Sequence, residues 1–119
     1  MRTSELTGAM LNYWVARADG WEAEVRSYQQ DPFGKGVVTV HYCNLKKGNR
    51  PFSPSTNWAQ GGPIIERERI DINTAVEGWE AYCDIRQTVR GDTALEAAMR
   101  AYVTSKFGNE VQEGSESNG

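Results

Sequence analysis

Residues 50–70 read RPFSPSTNWAQGGPIIERERI. This stretch holds Pro51, Pro54 and Pro63, three of the chain's four prolines, together with the adjacent Gly61 and Gly62 and a single Trp58. Proline locks φ and removes a backbone donor, and adjacent glycines loosen the chain. A long helix or strand across residues 53–62 is therefore not expected. A single helical turn over residues 57–60, capped by Ser55 or Thr56, fits the composition. Pro63 then suits the first turn of a short helix over PIIERE, with a strand as the alternative.

Regular periodicity lies on both sides of this stretch. Before it, Leu6, Met10, Leu11, Trp14, Val15 and Ala18 fall on one helical face, so residues 4–19 read as a helix that Ser4 or Thr7 caps and Gly20 ends. Asn12, Arg17 and Asp19 fall on the opposite face. Residues 21–28 alternate as a half-buried strand, QQDPFGKG reads as a turn, and GVVTVHYCN reads as the return strand of a hairpin. After the stretch, residues 70–72 and 79–85 alternate as strands, residues 74–78 as a turn, and residues 86–91 as a polar connection. Leu95, Ala98, Met99, Tyr102, Val103 and Phe107 mark a last helix, with Asp92 or Thr93 as its cap and Thr93 and Glu96 at capping-box spacing. The pattern predicts an α+β fold: an antiparallel sheet of about four strands, with N- and C-terminal helices packed on one face. Residues 1–110 form the expected single domain, and residues 111–119 an expected flexible acidic tail.

At 119 residues the chain suits one domain, and small domains often gain stability by oligomerising. Its net charge of −3 and scattered Lys and Arg lack the basic stripe that duplex nucleic acid requires. A single nucleotide needs only one or two cations and stays within reach. No apolar run resembles a signal peptide or a membrane span, so a cytosolic protein with reduced Cys43 and Cys83 is expected.

Few residues can support covalent or acid–base catalysis. The only histidine, His41, shares a strand face with Cys43, but no third group is evident to activate a Cys–His nucleophile pair. His41, Cys43 and Cys83 lack the close paired spacing of a structural zinc site, so neither metal nor cofactor is expected. Glu66, Arg67, Glu68 and Arg69 read as a solvated face or, if one arginine turns back toward the loop, as a phosphate clamp.

The central stretch admits two readings. In one it is a polar pocket for a nucleotide-like ligand. Ser53, Ser55, Thr56, Asn57 and Gln60 then exchange hydrogen bonds with the ligand, Trp58 stacks on a base, and Gly61 and Gly62 allow close backbone approach. A helical turn near Ser55 offers free N–H groups, and Arg67 or Arg69 offsets phosphate charge. In the other reading the loop is rigid and self-capped, with Trp58 plugging the core and the hydroxyls satisfying the loop's own backbone.

Three segments, TSELTGAMLNYWVARADG, FSPSTNWAQGGPIIERERI and MRAYVTSKFGNEV, resemble the phage NinX-like family of small proteins from lambdoid-type phages and prophages. The likeness covers nearly the whole chain in collinear order. The family's central motif, S-P-S-T-D/N-W-x-Q-G-G-P-I-I-E-R, carries Asn at position 57 here, which disfavours a mechanism needing a carboxylate there. The resemblance implies a phage accessory protein in the host cytoplasm. By analogy with antagonists of host defence, it implies a non-enzymatic homo-oligomer that sequesters a nucleotide immune signal of the cyclic ADP-ribose or cyclic dinucleotide type. A module that binds a host defence protein and a nucleotide-cleaving hydrolase are the alternatives.

Overall fold

The computed structural model describes residues 1–85 and 87–112. A 3-10 turn at Thr3–Glu5 precedes helix α1, Gly8–Ala18. Thr7 occupies the N-cap of α1 without a side-chain cap bond, because its hydroxyl donates instead to Glu96 Oε2 at 2.8 Å. Gly20, at φ +86°, turns the chain out of α1.

Strands β1 (Ala23–Gln30) and β2 (Val38–Leu45) form the expected hairpin, in register from Ala23 opposite Leu45 to Gln30 opposite Val38. Only the end of β2 near α1 is buried, at Cys43, Asn44 and Leu45. The distal half projects, and Tyr28, Phe33, Val37 and Val38 are exposed. The two-residue β3, Arg50–Pro51, pairs with the base of β2 and completes a first antiparallel sheet.

The central stretch differs from the expected loop. Helix α2 spans Trp58–Glu68 and runs through Gly61, Gly62 and Pro63. Its cap is Asn57, one residue beyond Thr56 and two beyond Ser55, with Oδ1 accepting from Ala59 N–H at 2.9 Å. Pro63 costs α2 one helical hydrogen bond, but the residue before it is Gly62, so the usual clash of a proline ring with a preceding Cβ does not arise. Gly61 explains why glycine is kept inside a helix. A Cβ there would lie 2.3 Å from Pro54 O and 2.7 Å from Leu95 Cδ1. The helix therefore rests directly on the preceding loop and on α3, Ala94–Phe107. At its other end Arg69 takes the left-handed conformation (φ 55°), and Ile70 N–H donates to Ile65 O at 3.1 Å, closing the helix as glycine commonly does.

Strands β4 (Asp71–Thr74), β5 (Trp79–Tyr82) and β6 (Val89–Gly91) make a second antiparallel sheet in the order β4-β5-β6. The fold is thus α+β with terminal helices, as expected, but it has two three-stranded sheets rather than one of about four strands. β6 occupies part of the expected polar connection, where alternation over three residues is too short to register. Helix α1 packs on β1 and β2, α3 packs on the second sheet, and the two helices pack on each other. Gly91 admits this closeness, since a Cβ there would meet Ala97 N at 2.5 Å. Residues 11–16 of α1 are all buried as a result, including Asn12 on the face expected to meet solvent.

The two ends of the described chain meet. Met1 and Val111 exchange backbone hydrogen bonds of 3.0 and 2.9 Å, and Thr104 Oγ1 donates to Thr3 Oγ1, which donates to Gly108 O. Val111 is buried in the core, so packing extends into the start of the expected tail; residues 113–119 lie outside the described residues.

Candidate functional site

Helices α2 and α3 begin beside one another. Between their N-termini lies a cleft of about 430 Å³, lined by Ser55, Thr56, Trp58, Trp79, Thr93, Ala94 and Leu95. The loop before α2 sets one wall. Ser53 O accepts from Thr56 N–H (3.1 Å) and Asn57 N–H (2.9 Å), which folds residues 53–57 into a turn. Gln60 Oε1 accepts from Ser53 N–H at 2.6 Å and holds the turn against α2. Buried Asn12 reaches across from α1, and its Oδ1 accepts from Ser55 N–H at 3.0 Å. The other wall is the start of α3, where Thr93 Oγ1 accepts from Glu96 N–H at 3.0 Å, and Glu96 Oε1 accepts from Asp92 N–H at 2.8 Å.

The cleft has an unusual polar balance. No Lys, Arg, Asp or Glu lines it, and much of its surface is indole and aliphatic. Ser55 is 4% exposed, and among the described residues its hydroxyl has no hydrogen-bond partner. A buried unpaired hydroxyl costs about 1–3 kcal/mol, and this one, with under 1 Å² of accessible surface, does not open onto the cleft. Trp58, by contrast, is 57% exposed, which overturns the expectation that it plugs the core. A large indole left in solvent at the rim of a cleft is available for stacking.

The predicted site residues separate into two groups. Ser55, Thr56 and Trp58 line the cleft. Ser53, Asn57, Gln60 and Gly61 build its wall: Asn57 Oδ1 is engaged in capping, Gln60 Oε1 in bracing, and the open side of Gly61 is filled by Pro54 and Leu95. Gly62 faces nothing closer than Trp58 Cε3 at 3.9 Å. Neither arginine lines the cleft. Arg67 turns back, but toward α1 and α3: Nη2 donates to Asp19 Oδ1 (2.7 Å) and Tyr102 Oη (3.1 Å), and Nε donates to Glu68 Oε2 (2.8 Å). The Glu68 bond, with Asp19 beside it, raises the guanidinium's already high pKa, and Arg67 stays charged as a structural tie. Arg69 is the exposed left-handed residue that ends α2.

Trp79, Thr93, Ala94 and Leu95 also line the cleft, although the sequence places Trp79 only at a strand start, Thr93 at a helix cap and Leu95 on that helix's apolar face, and gives Ala94 no role. Nothing in linear spacing brings residues 79 and 93–95 beside residues 55–58.

Other clefts differ in lining. One of about 620 Å³ lies between Arg2–Thr3–Ser4 and residues 87–89 and 109–110; no aromatic residue lines it, and its buried hydroxyls, Thr3 and Thr104, bond each other and Gly108 O. A cleft of about 330 Å³ is lined by Tyr13, Arg17, Trp21 and Lys46 among others. The Cys43 and His41 pair is divided by burial, His41 being exposed and Cys43 buried. Burial pushes the Cys43 thiol up to about 12, which keeps it protonated and a poor nucleophile at neutral pH. Among the described residues no three His, Cys, Asp or Glu side chains are grouped to hold a metal. No helix among them is long and apolar enough to cross a membrane.

The family model described as Bacteriophage P22, NinX matches residues 2–106 of this chain. A search of curated proteins returns no match.

Proposed function

Given that this chain belongs to the Bacteriophage P22 NinX family, we propose that it is a phage accessory protein that binds, without chemical turnover, a small nucleotide-derived signal in the cleft between α2 and α3. The observation that carries the reading is the exposed indole of Trp58 at the rim of a largely apolar cleft whose lining also includes Trp79. A volume of about 430 Å³ falls within the ordinary range of small-ligand pockets, about 300–1,000 Å³. It suits one nucleotide unit or a compact cyclic ADP-ribose-like molecule. Sequestration is favoured over hydrolysis because no carboxylate, imidazole or thiol lines the cleft to act as base or nucleophile. Holding such a signal would blunt a host defence that depends on it.

Isothermal titration with cyclic ADP-ribose-type and cyclic dinucleotide ligands tests the proposal, followed by denaturation and recovery of the ligand. Binding that is lost in Trp58→Ala, with the ligand recovered intact, supports sequestration. A cleaved product supports the hydrolase, and unchanged affinity in Trp58→Ala removes the site assignment.

A second reading, a protein-interaction module, is favoured by the β1–β2 hairpin. Phe33 sits at its tip, 93% exposed and at φ +62°, a conformation rare for a bulky residue. Tyr28, Val37 and Val38 extend an apolar surface along the arm. Such an arm suits self-association or capture of a host defence protein. Light scattering of Phe33→Ser against the parent measures the first, and an unchanged mass removes the arm as the basis of an oligomer.

A further inference from the structure

Helix α1 ends at a second cleft, of about 330 Å³, which shares no lining residue with the one between α2 and α3. Tyr13 and Arg17 line it from the helix, Trp21 from the chain leaving it, and Lys46 from the turn after β2. The backbone there is fixed. Trp21 N–H donates to Ala16 O at 2.9 Å, and Lys46 N–H donates to Glu22 O at 3.0 Å, continuing the hairpin past its last strand pair. The carbonyls of Val15, Ala16 and Arg17 would repel an anion if free, but they accept N–H groups of Asp19, Trp21 and Gly20.

Arg17 is the central group. Its Nη1 donates to the Tyr13 hydroxyl at 2.8 Å, and its guanidinium carbon stands 5.8 Å from the centre of the Tyr13 ring and 5.7 Å from that of Trp14. Those rings are themselves held: Tyr13 and Trp14 are each 7% exposed and meet edge to face at 5.3 Å, and Trp14 meets Phe107 in the same way. Arg26, Arg67 and Arg100 each pair with a carboxylate. Arg17 has none among the described residues, and its Nε and Nη2 have no hydrogen-bond partner there. A guanidinium ordered by aromatic rings and one hydroxyl keeps its charge and most of its planar donor fork for an anion. Beside it Trp21 leaves its indole 44% exposed. Lys46 adds a second cation and Glu22 offsets one of the two, so one positive charge remains in the lining of a chain whose net charge is −3.

We infer that this cleft is an anion site for a single planar aromatic ligand: the ring stacks on Trp21, and Arg17, with Lys46, binds the phosphate or carboxylate that the ring's substituent carries. A nucleoside monophosphate and an aromatic carboxylate share that chemistry. A volume of about 330 Å³ is near the lower end of small-ligand pockets and holds one such unit. The α2–α3 cleft, lined by no charged residue, is a separate site, and neither reading requires the other.

The test is NMR of the full chain, following the indole N–H signals and the Arg17 Nε–H during separate titrations with AMP, adenosine and benzoate. AMP or benzoate is expected to shift Trp21 and Arg17 together, and the tighter of the two identifies the anion. Adenosine is expected to bind at Trp21 about tenfold more weakly than AMP. Arg17→Gln is expected to weaken the tighter ligand about tenfold, the loss of a charge-assisted pair. Because Arg17 also packs on Tyr13 and Trp14, exposed Lys46→Gln serves as a second variant, with an expected loss of about threefold, the size of an exposed ion pair. Shifts at Trp21 and Arg17 that persist in Trp58→Ala support the site whether or not the other cleft binds. Adenosine binding as tightly as AMP, or both variants binding like the parent, would overturn it. Shifts confined to Trp58 and Trp79 would overturn it and leave the α2–α3 proposal standing.

Discussion

Gly61 and Gly62 are adjacent in sequence and both helical, yet alanine should cost far more at Gly61 than at Gly62. On helix propensity alone, each substitution gains about 0.5–1 kcal/mol, because alanine loses less chain entropy than glycine. At Gly62 the new methyl would lie 3.9 Å from Trp58 Cε3, an ordinary contact, but directly before Pro63, whose ring disfavours a helical residue with a Cβ there. The two effects oppose, so Gly62→Ala should move the melting temperature little. At Gly61 the methyl meets the Pro54 carbonyl at 2.3 Å and Leu95 Cδ1 at 2.7 Å. The leucine can rotate, but the carbonyl is backbone, held in a turn that Asn12 ties to α1 through Ser55. Relief requires the loop and α2 to separate, which places the cost at the upper end of overpacking, about 3 kcal/mol against a gain of under about 1. The net loss of about 2 kcal/mol corresponds to a melting temperature lower by roughly 8 °C in a domain of this size. Paired calorimetric or fluorescence melts measure both variants, with urea midpoints as an independent check. A Gly61→Ala protein as stable as the parent would refute the direct contact of α2 with residues 54–55. Equal losses at the two positions would refute the packing that distinguishes the two glycines.

Asn12→Ala should destabilise the chain by about 1–3 kcal/mol in urea melts, because it strands the buried Ser55 N–H that Asn12 Oδ1 accepts at 3.0 Å. Cys43 should resist thiol reagents at pH 8 in the native protein and react once unfolded, since burial holds its pKa at about 12. The same shift gives a pH dependence: the folded thiol keeps its proton where the unfolded one, with an ordinary value of 9.0, has lost it. Stability that is present below pH 9 should therefore decline as pH rises toward 12, and Cys43→Ala should flatten that limb of a stability–pH profile.

Much of the fold is legible in the sequence where periodicity is long. Helix α3 announces itself through Thr93, Glu96 and its apolar face, and the β1–β2 hairpin through alternation on either side of Asp31-Pro32. Helix α2 is hidden because Gly61, Gly62 and Pro63 each disfavour a helix in isolation. Gly61 is there to let Pro54 and Leu95 approach, a tertiary cause without a local signal. Gly62 gives up its Cβ directly before Pro63. Asn12 misleads for the same reason: a polar residue on the outer face of an amphipathic helix is read as solvated, whereas it is buried and its Oδ1 accepts from Ser55 N–H. Of the central stretch, Ser55, Thr56 and Trp58 line a cleft, though one more apolar than the polar side chains of residues 53–60 suggest. Its second wall, Trp79 with Thr93–Leu95, exists only because the second sheet delivers α3 to the start of α2, and spacing along the chain does not encode that meeting.

Trp58→Ala tests the account most directly, because Trp58 is 57% exposed at the rim of the cleft and contributes little to the core. Its melting temperature should stay close to the parent's, while affinity for a cyclic ADP-ribose-type ligand measured by titration falls about tenfold or more, the loss of one stacking partner. A variant that binds the ligand as tightly as the parent would contradict the cleft as the ligand site.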